Sequence, residues 1–286
     1  MVDKSRASIS QQLDRLGVIK RRDRFLGLLG TRSVIMGILN ITPDSFSDGG
    51  KFFTLDAAKQ QAEKLAADGA DIIDVGAEST RPGHTPVAAE VELARLEPIF
   101  GTLTSSIDIP FSIDTSKAKV ARRATELGAS VVNDVWGLQK DPAMADTVAE
   151  TGAAAVLMHN RDGVDQGLDI VADMRRFFDR SLRLAADASI PSAYLILDPG
   201  IGFGKSRAQN FTALANLAVL KDYGLPILVG VSRKSLLAGL SPVETSLVRT
   251  LAANFAAAAN GASIFRVHDA AEHASAFKVF DAIVRR

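Results

Sequence analysis

Residues 54–78 read TLDAAKQQAEKLAADGADIIDVGAE, and this stretch holds the unit that decides the fold. Thr54 can cap the start of a helix, because its hydroxyl accepts from an early backbone N–H. Leu55, Ala58, Ala62 and Leu65 then recur at helical spacing and form an inner face. Gly69-Ala70 ends that helix, since glycine just past a helix supplies the left-handed conformation that stops it. Asp71 to Val75 follows as an apolar, strand-like run, with Glu78 just beyond. The unit is a helix, a glycine turn, a strand and a polar strand end.

The same punctuation returns at Gly128-Ala129, Gly152-Ala153 and Gly261-Ala262, each after a helical pattern and before an apolar run. The remaining runs are Val34 to Leu39 ending at Asn40, Phe111 to Ile113 ending at Asp114, and Val131-Val132 ending at Asn133. Then come Ala154 to Met158 ending at His159, Tyr194 to Leu197 ending at Asp198, Ile227 to Val231 before Ser232, and Ser263 to Phe265 before Arg266 and His268. Alternating strands and helices imply a parallel sheet. Eight units predict an α/β fold of the (β/α)8 TIM barrel type, whose active site gathers where the strands end. A helical bundle does not fit runs so short and so rich in Ile and Val. A doubly wound sheet would concentrate function at one switch point, whereas nearly every strand end here carries a functional group.

The chain has 286 residues, enough for one barrel of about 250 with a short extension. Residues 1–33 read as that extension and 34–286 as the barrel. The extension is basic; its charges could bind an anion or a partner, but the expectation is a solvated extension covering the barrel floor, with Phe25 to Leu29 across it. Lys plus Arg and Asp plus Glu both number 33, so no net charge favours nucleic acid or an anionic membrane. Cysteine is absent, which removes disulfides, thiolate metal sites and a cysteine nucleophile. No apolar run reaches the roughly 18 residues of a membrane span, and no signal-peptide core is found. A soluble cytoplasmic protein is the expectation.

Several strand ends carry chemistry. Asp114, Asn133 and Asp198 could match the donor face of a heterocycle, because carboxylates accept amino and ring N–H groups pairwise. They could equally serve as acid/base groups or metal ligands, and Asp114 could merely cap the following helix. Pro199 to Ser206 approaches a nucleotide-binding loop, but Pro199 stands where that pattern needs glycine and has no N–H for a phosphate. A glycine-rich turn with Phe203 as a ligand wall fits better. Ser232-Arg233-Lys234-Ser235 and Arg266-Val267-His268-Asp269 end the last two strands, where barrels commonly bind phosphate.

Taken together, these motifs resemble the dihydropteroate synthase family. The resemblance rests on Met36 to Gly50, Gly76 to Gly83, Ser112-Ile113-Asp114-Thr115, Asn133-Asp134, Leu197-Asp198-Pro199-Gly200, Ser232 to Ser235 and Arg266 to Asp269, in the family's order. It implies a folate-pathway transferase that joins 4-aminobenzoate to 6-hydroxymethyl-7,8-dihydropterin diphosphate, releasing diphosphate and 7,8-dihydropteroate. By motif position Asp114, Asn133, Asp198 and Lys234 would hold the pterin, with Met158 and Gly230 nearby. Asn40 would bind Mg²⁺ or the diphosphate, and Arg266 and His268 would grip the diphosphate. Asn40, Lys234, Arg266 and His268 would then be the catalytic set. Thr80, Arg81, Pro82, Phe203 and Ser235, with Phe46, would frame aminobenzoate. A homodimer and a sulfonamide target are also implied.

The sequence departs from the family after Met158-His159, where Asn160-Arg161-Asp162-Gly163 replaces a Met-Gln-Gly-like segment. A pterin-binding methyltransferase module acting with a corrinoid protein is the alternative, but it has no need of the Asn40 loop, the Ser-Arg-Lys-Ser turn or the Arg-Val-His segment. A Schiff-base aldolase using Lys234 and a pterin binder without turnover are further rivals.

Overall fold

A computed structural model describes residues 17–41, 55–78, 86–239 and 246–284. Among them eight strands, all parallel, lie in the order β6-β5-β4-β3-β2-β1-β8-β7. They are β1 (Val34–Asn40), β2 (Ile72–Gly76), β3 (Phe111–Asp114), β4 (Val131–Asp134), β5 (Ala154–Met158), β6 (Leu195–Asp198), β7 (Leu228–Val229) and β8 (Ile264–Val267). The open edges β6 and β7 meet through a parallel bridge between Leu197 and Ile227, and the Leu197 N–H donates to the Pro226 carbonyl at 2.9 Å. The expected barrel is therefore the observed fold.

Helices alternate with the strands: α1 (Val18–Leu26), α2 (Leu55–Ala67), α3 (Ala89–Ser106), α4 (Ala118–Glu126), α5 (Met144–Thr151), α6 (Ile170–Asp187), α7 (Arg207–Ala215), α8 (Ser246–Ala259) and α9 (Ala270–Val284). The glycines that punctuate the sequence behave as read. Gly69, Gly128, Gly152 and Gly261 have φ of 93°, 110°, 69° and 107°, conformations that a Cβ disfavours. In α2 the apolar face is Ala58, Ala62 and Leu65. Leu55, expected on it, is 38% exposed, because it stands at the helix's first residue, ahead of the turns that reach the strands. Thr54 lies outside the described residues.

Strand bounds shift slightly from the sequence reading. Tyr194 belongs to a 3-10 turn (Ser192–Tyr194) rather than to β6, and β7 contracts to Leu228–Val229 within the expected run.

Two apolar layers stabilise the barrel. One lies between strands and helices, and the other fills the interior with Phe25, Val34, Met36, Ile72, Val131, Ala154, Val156, Ile196, Leu228 and Ile264. Phe25 comes from α1 and plugs the strand starts, with Leu26, Leu28 and Leu29 packed around it. The basic residues of this segment are not all solvated as expected: Arg22 is buried, and its neighbours join it in securing the plug by donating to carbonyls at the barrel floor. The guanidinium of Arg21 donates to the Thr104 carbonyl at 2.7 Å, and that of Arg22 donates to the Gly152 carbonyl at 2.5 Å while covering the Tyr194 ring at 3.9 Å. Arg24 donates to the Asp108 carbonyl at 2.9 Å. With the bottom closed, only the strand C-termini can admit a ligand. Among the described residues, no helix is long and apolar enough to cross a membrane.

Candidate active site at the barrel mouth

Register brings the polar strand ends together. Gly76 pairs with Asp114, Asp114 with Asn133, and Met158 with Asp198. On the other side Met36 pairs with Arg266, and Ile38 with Asp74.

At the centre is Arg266. Its Nε donates to Asp74 Oδ2 at 2.6 Å and its Nη2 to Asp114 Oδ2 at 2.8 Å. Asp74 also accepts from Ser112 Oγ at 2.5 Å through Oδ1 and from Asn133 Nδ2 at 3.0 Å through Oδ2. Asp74, Asp114 and Asn133 are all buried. Two acceptors remain: Asp114 Oδ1 and Asn133 Oδ1 are buried without a hydrogen-bond partner among the described residues. Buried polar atoms are normally paired, so this pair of oxygens marks a place where a ligand's N–H groups fit.

Burial pushes the Asp114 carboxyl up to about 7, against the attraction of Arg266, with Asp74 adding like charge. Asp198, also buried, is shifted upward by burial and opposed by the N–H of Gly200, which donates to Oδ1 at 2.7 Å. Lys234 is half-buried, donates to the Ile201 carbonyl and lies 4.6 Å from the centroid of the Phe203 ring. Burial lowers its ammonium to about 8, while Asp198 acts in the opposite direction. Gly230 lies against the Arg266 stem, where an added Cβ would stand 3.7 Å from the Arg266 Cβ. Met158 is buried at the end of β5.

Other expectations need adjustment. Asp114 does not cap α4: the Ala118 N–H is held at 2.8 Å by Asp141 Oδ2, from the loop after β4. Arg266, expected on the diphosphate, has its guanidinium on the carboxylates of Asp74 and Asp114, reached past β1 along the same wall. His268 Nδ1 lies 2.9 Å from Ser232 Oγ, so its ring joins the last two strand ends. Asn40 is half-buried at the end of β1, with its Oδ1 and the Asp114 carboxylate both near Gly76. Phe46, Thr80, Arg81 and Pro82 lie outside the described residues, and Ser235 is exposed beside Lys234.

The glycine-rich turn after β6 is not a phosphate cradle. Lys205 is buried, and its ammonium donates to the carbonyls of Gly200 at 2.8 Å, Phe203 at 3.0 Å and His159 at 3.3 Å. Burial lowers it to about 7. Gly200 is obligatory here, since an added Cβ would fall 1.8 Å from the His159 carbonyl oxygen. The unusual Asn160 donates to the Val135 carbonyl at 2.9 Å, and its Oδ1 receives the Arg161 N–H at 2.8 Å. That segment is anchored on the loop after β4.

Among the described residues, no group of three or more His, Cys, Asp or Glu side chains could hold a metal ion. A lone amide oxygen at Asn40 fits an ion that arrives with phosphate oxygens and water as its other ligands, the usual habit of Mg²⁺.

The sequence reading assigns no role to Asp74, Ser112 or Lys205 themselves. Asp74 did leave a signal. It sits in Ile72-Ile73-Asp74-Val75-Gly76, a strand buried at every position, where a carboxylate needs partners.

The family model for pterin-binding enzymes matches residues 36–268. A dihydropteroate synthase of Clostridium beijerinckii is 47% identical over 262 residues, covering 90% of this chain and 97% of that protein. The crystal structure of a Clostridium difficile dihydropteroate synthase, obtained in the presence of pteroic acid, superposes with a TM-score of 0.86 at 47% identity, covering 90% of this chain and 98% of the other. That of Xanthomonas albilineans with 4-aminobenzoic acid gives 0.82 at 42% identity, covering 88% and 93%.

Proposed function

The chain belongs to the dihydropteroate synthases of the pterin-binding enzyme family, and from that premise we propose how its barrel mouth performs their reaction. The enzyme condenses 4-aminobenzoate with 6-hydroxymethyl-7,8-dihydropterin diphosphate, giving 7,8-dihydropteroate and diphosphate. The observation that carries the site reading is the pair of unpartnered oxygens, Asp114 Oδ1 and Asn133 Oδ1, inside the barrel. A pterin presents amino and ring N–H donors along one edge, and acceptors are what that edge requires. Asp198 faces the same cavity with a third acceptor, and Lys234 supplies a donor for the pterin's own acceptors. Met158 and Gly230 shape the walls.

The electron-rich pterin stabilises positive charge on its exocyclic methylene, so diphosphate can leave ahead of attack. The cationic groups Lys234 and Arg266 near the strand 7 and 8 ends favour charge building on the leaving group, and a ring N–H of His268 can donate to it. Mg²⁺ bound to diphosphate oxygens and Asn40 would supply further charge neutralisation. Aminobenzoate attacks through an aromatic amine that is neutral at pH 7, so no strong base is needed. The carboxylates then serve recognition rather than proton abstraction. Phe203 and Ser235 border the side from which aminobenzoate approaches, and by motif position Phe46, Thr80, Arg81 and Pro82, which lie outside the described residues, are assigned to the same substrate. The same reading extends to a homodimer in the cytoplasm. The exposed apolar residues Val279, Ile283 and Val284 of α9 support the first, and a chain without cysteine suits a reducing compartment.

The test is diphosphate release measured with and without 4-aminobenzoate and Mg²⁺. Release that depends on aminobenzoate is expected. Release indifferent to it, or none with an intact fold, would overturn the assignment.

A further inference from the structure

We infer that Asp74 is the positioning residue that sets which way the pterin pocket presents its hydrogen-bonding groups, by fixing the Asn133 amide with its oxygen toward the ligand. The inference rests on the pterin reading of Asp114 and Asn133 and deepens it.

An asparagine amide offers two nearly isosteric faces, an acceptor oxygen and a donor NH₂. Left to itself in a pocket, it could present either one. Here the choice is made behind it. Asn133 Nδ2 lies 3.0 Å from Asp74 Oδ2, and a carboxylate can only accept, so the NH₂ must face Asp74. The oxygen is then turned away from Asp74 and is the atom without a partner. The same Asp74 oxygen accepts from Arg266 Nε at 2.6 Å, and Arg266 Nη2 reaches Asp114 Oδ2 at 2.8 Å. Asp114 is thereby held by one oxygen, leaving Oδ1 as the second unpartnered acceptor. Ser112 Oγ, at 2.5 Å from Asp74 Oδ1, fixes the hub itself. Asp74 is completely buried, and its partners among the described residues are Ser112, Asn133 and Arg266 in the barrel wall, so it touches no ligand on this reading. It acts through Asn133 directly and through Arg266 on Asp114. Discrimination follows. A pocket with two forced acceptors rejects a ring whose edge offers lone pairs in their place, because both partners would then be left unsatisfied.

The test compares binding of 6-hydroxymethyl-7,8-dihydropterin diphosphate with Mg²⁺ to the whole enzyme by calorimetry in wild type, Asp74→Asn, Asn133→Asp and the double variant. The double variant exchanges the two side chains, so residue 133 again turns an oxygen to the pocket, while the NH₂ now on residue 74 gives up the hydrogen bond from Arg266 Nε. Each single variant is expected to bind at least roughly tenfold more weakly, and the double variant to bind more tightly than the product of the two losses, recovering the part that belongs to the Asn133 pairing. A role in packing alone predicts losses that multiply. A second measurement needs no mutant at position 74. In wild type, the Asn133 side-chain NH₂ resonance, assigned by its absence in Asn133→Asp, should be protected from solvent exchange without ligand. It should also stay nearly unshifted when pterin binds. Native binding by Asp74→Asn alongside a weakened Asn133→Asp would overturn the inference and leave the pterin site standing. Native binding by Asn133→Asp would remove both. An Asn133 NH₂ that exchanges freely would overturn the inference even if Asp74→Asn failed to fold.

Discussion

The floor and the mouth of this barrel are made by the same strands, two residues apart. Ile72 precedes Asp74, Val131 precedes Asn133, Ile196 precedes Asp198 and Ile264 precedes Arg266. Residues i and i+2 of a strand face the same side, so each pair lines one continuous inner wall. The first member of every pair belongs to the apolar plug around Phe25, and the second to the polar cluster. Two residues of strand rise by about 7 Å. Over that length the interior changes from hydrocarbon to ions. The floor stabilises the fold by removing apolar surface from water, whereas the mouth places desolvated charges where only a ligand can complete their pairing. The opposed displacements of Asp114, upward to about 7, and Lys234, downward to about 8, record what burial costs the mouth.

The comparison can be broken most forcefully from below. Phe25→Ala empties the plug and should reduce unfolding free energy by about 3–5 kcal/mol, the usual range for a buried phenylalanine. Pterin affinity, measured by calorimetry under conditions where the variant stays folded, should be unchanged. A matching loss of affinity would show that floor and mouth are not separable.

From above, Asp198→Asn should weaken pterin binding by about 1.5–3 kcal/mol, the contribution of a charge-assisted hydrogen bond, with no loss of melting temperature. The amide can still accept from Gly200 but presents an NH₂ to a donor edge. Near wild-type affinity would take Asp198 out of the site.

Lys234→Ala should lower turnover by about tenfold to a hundredfold, on the same hydrogen-bond scale, while thermal stability changes little. If the melting temperature drops steeply instead, the ammonium serves the turn at Ile201 and Phe203 rather than the ligand.

The smallest effect is a pH profile. Asp114 accepts with full strength only when ionised, and Lys234 makes a charge-assisted bond only as the ammonium. Protonation of Asp114 therefore removes activity as pH falls through about 7, and deprotonation of Lys234 removes it as pH rises through about 8. kcat/KM should follow a narrow bell between those values. Asp114→Asn should abolish the acid limb while retaining the alkaline one, and an unchanged acid limb would assign it elsewhere.

Much of this was legible beforehand, for local reasons. Strands announce themselves by short apolar runs, and Gly69, Gly128, Gly152 and Gly261 mark helix ends because only glycine takes positive φ without strain. Asp114, Asn133 and Asp198 stood out because a polar residue ending an apolar run on a barrel strand faces the mouth. Asp74 lies inside a strand, where the pattern of apolar runs with polar ends does not mark it. Lys205 looked like part of a phosphate-loop imitation, yet its ammonium closes the turn on three carbonyls. His159 ends β5 but turns outward to Asp173 on α6 at 3.1 Å, and burial lowers it to about 3, so it remains neutral and structural.

The amino-acid sequence by itself determined the alternation of elements, the closed barrel and the residues available at its mouth. These follow from periodicity and turn chemistry, which act over a few neighbouring residues. Only the tertiary structure decided which charges meet. Arg266 and Asp74 are 192 residues apart, and their contact depends on the register of β8 on β1 and of β1 on β2. A shift of one residue in either pairing would turn those side chains to the opposite face. The apolar plug below holds that register, and the pocket's pairing is a consequence of it.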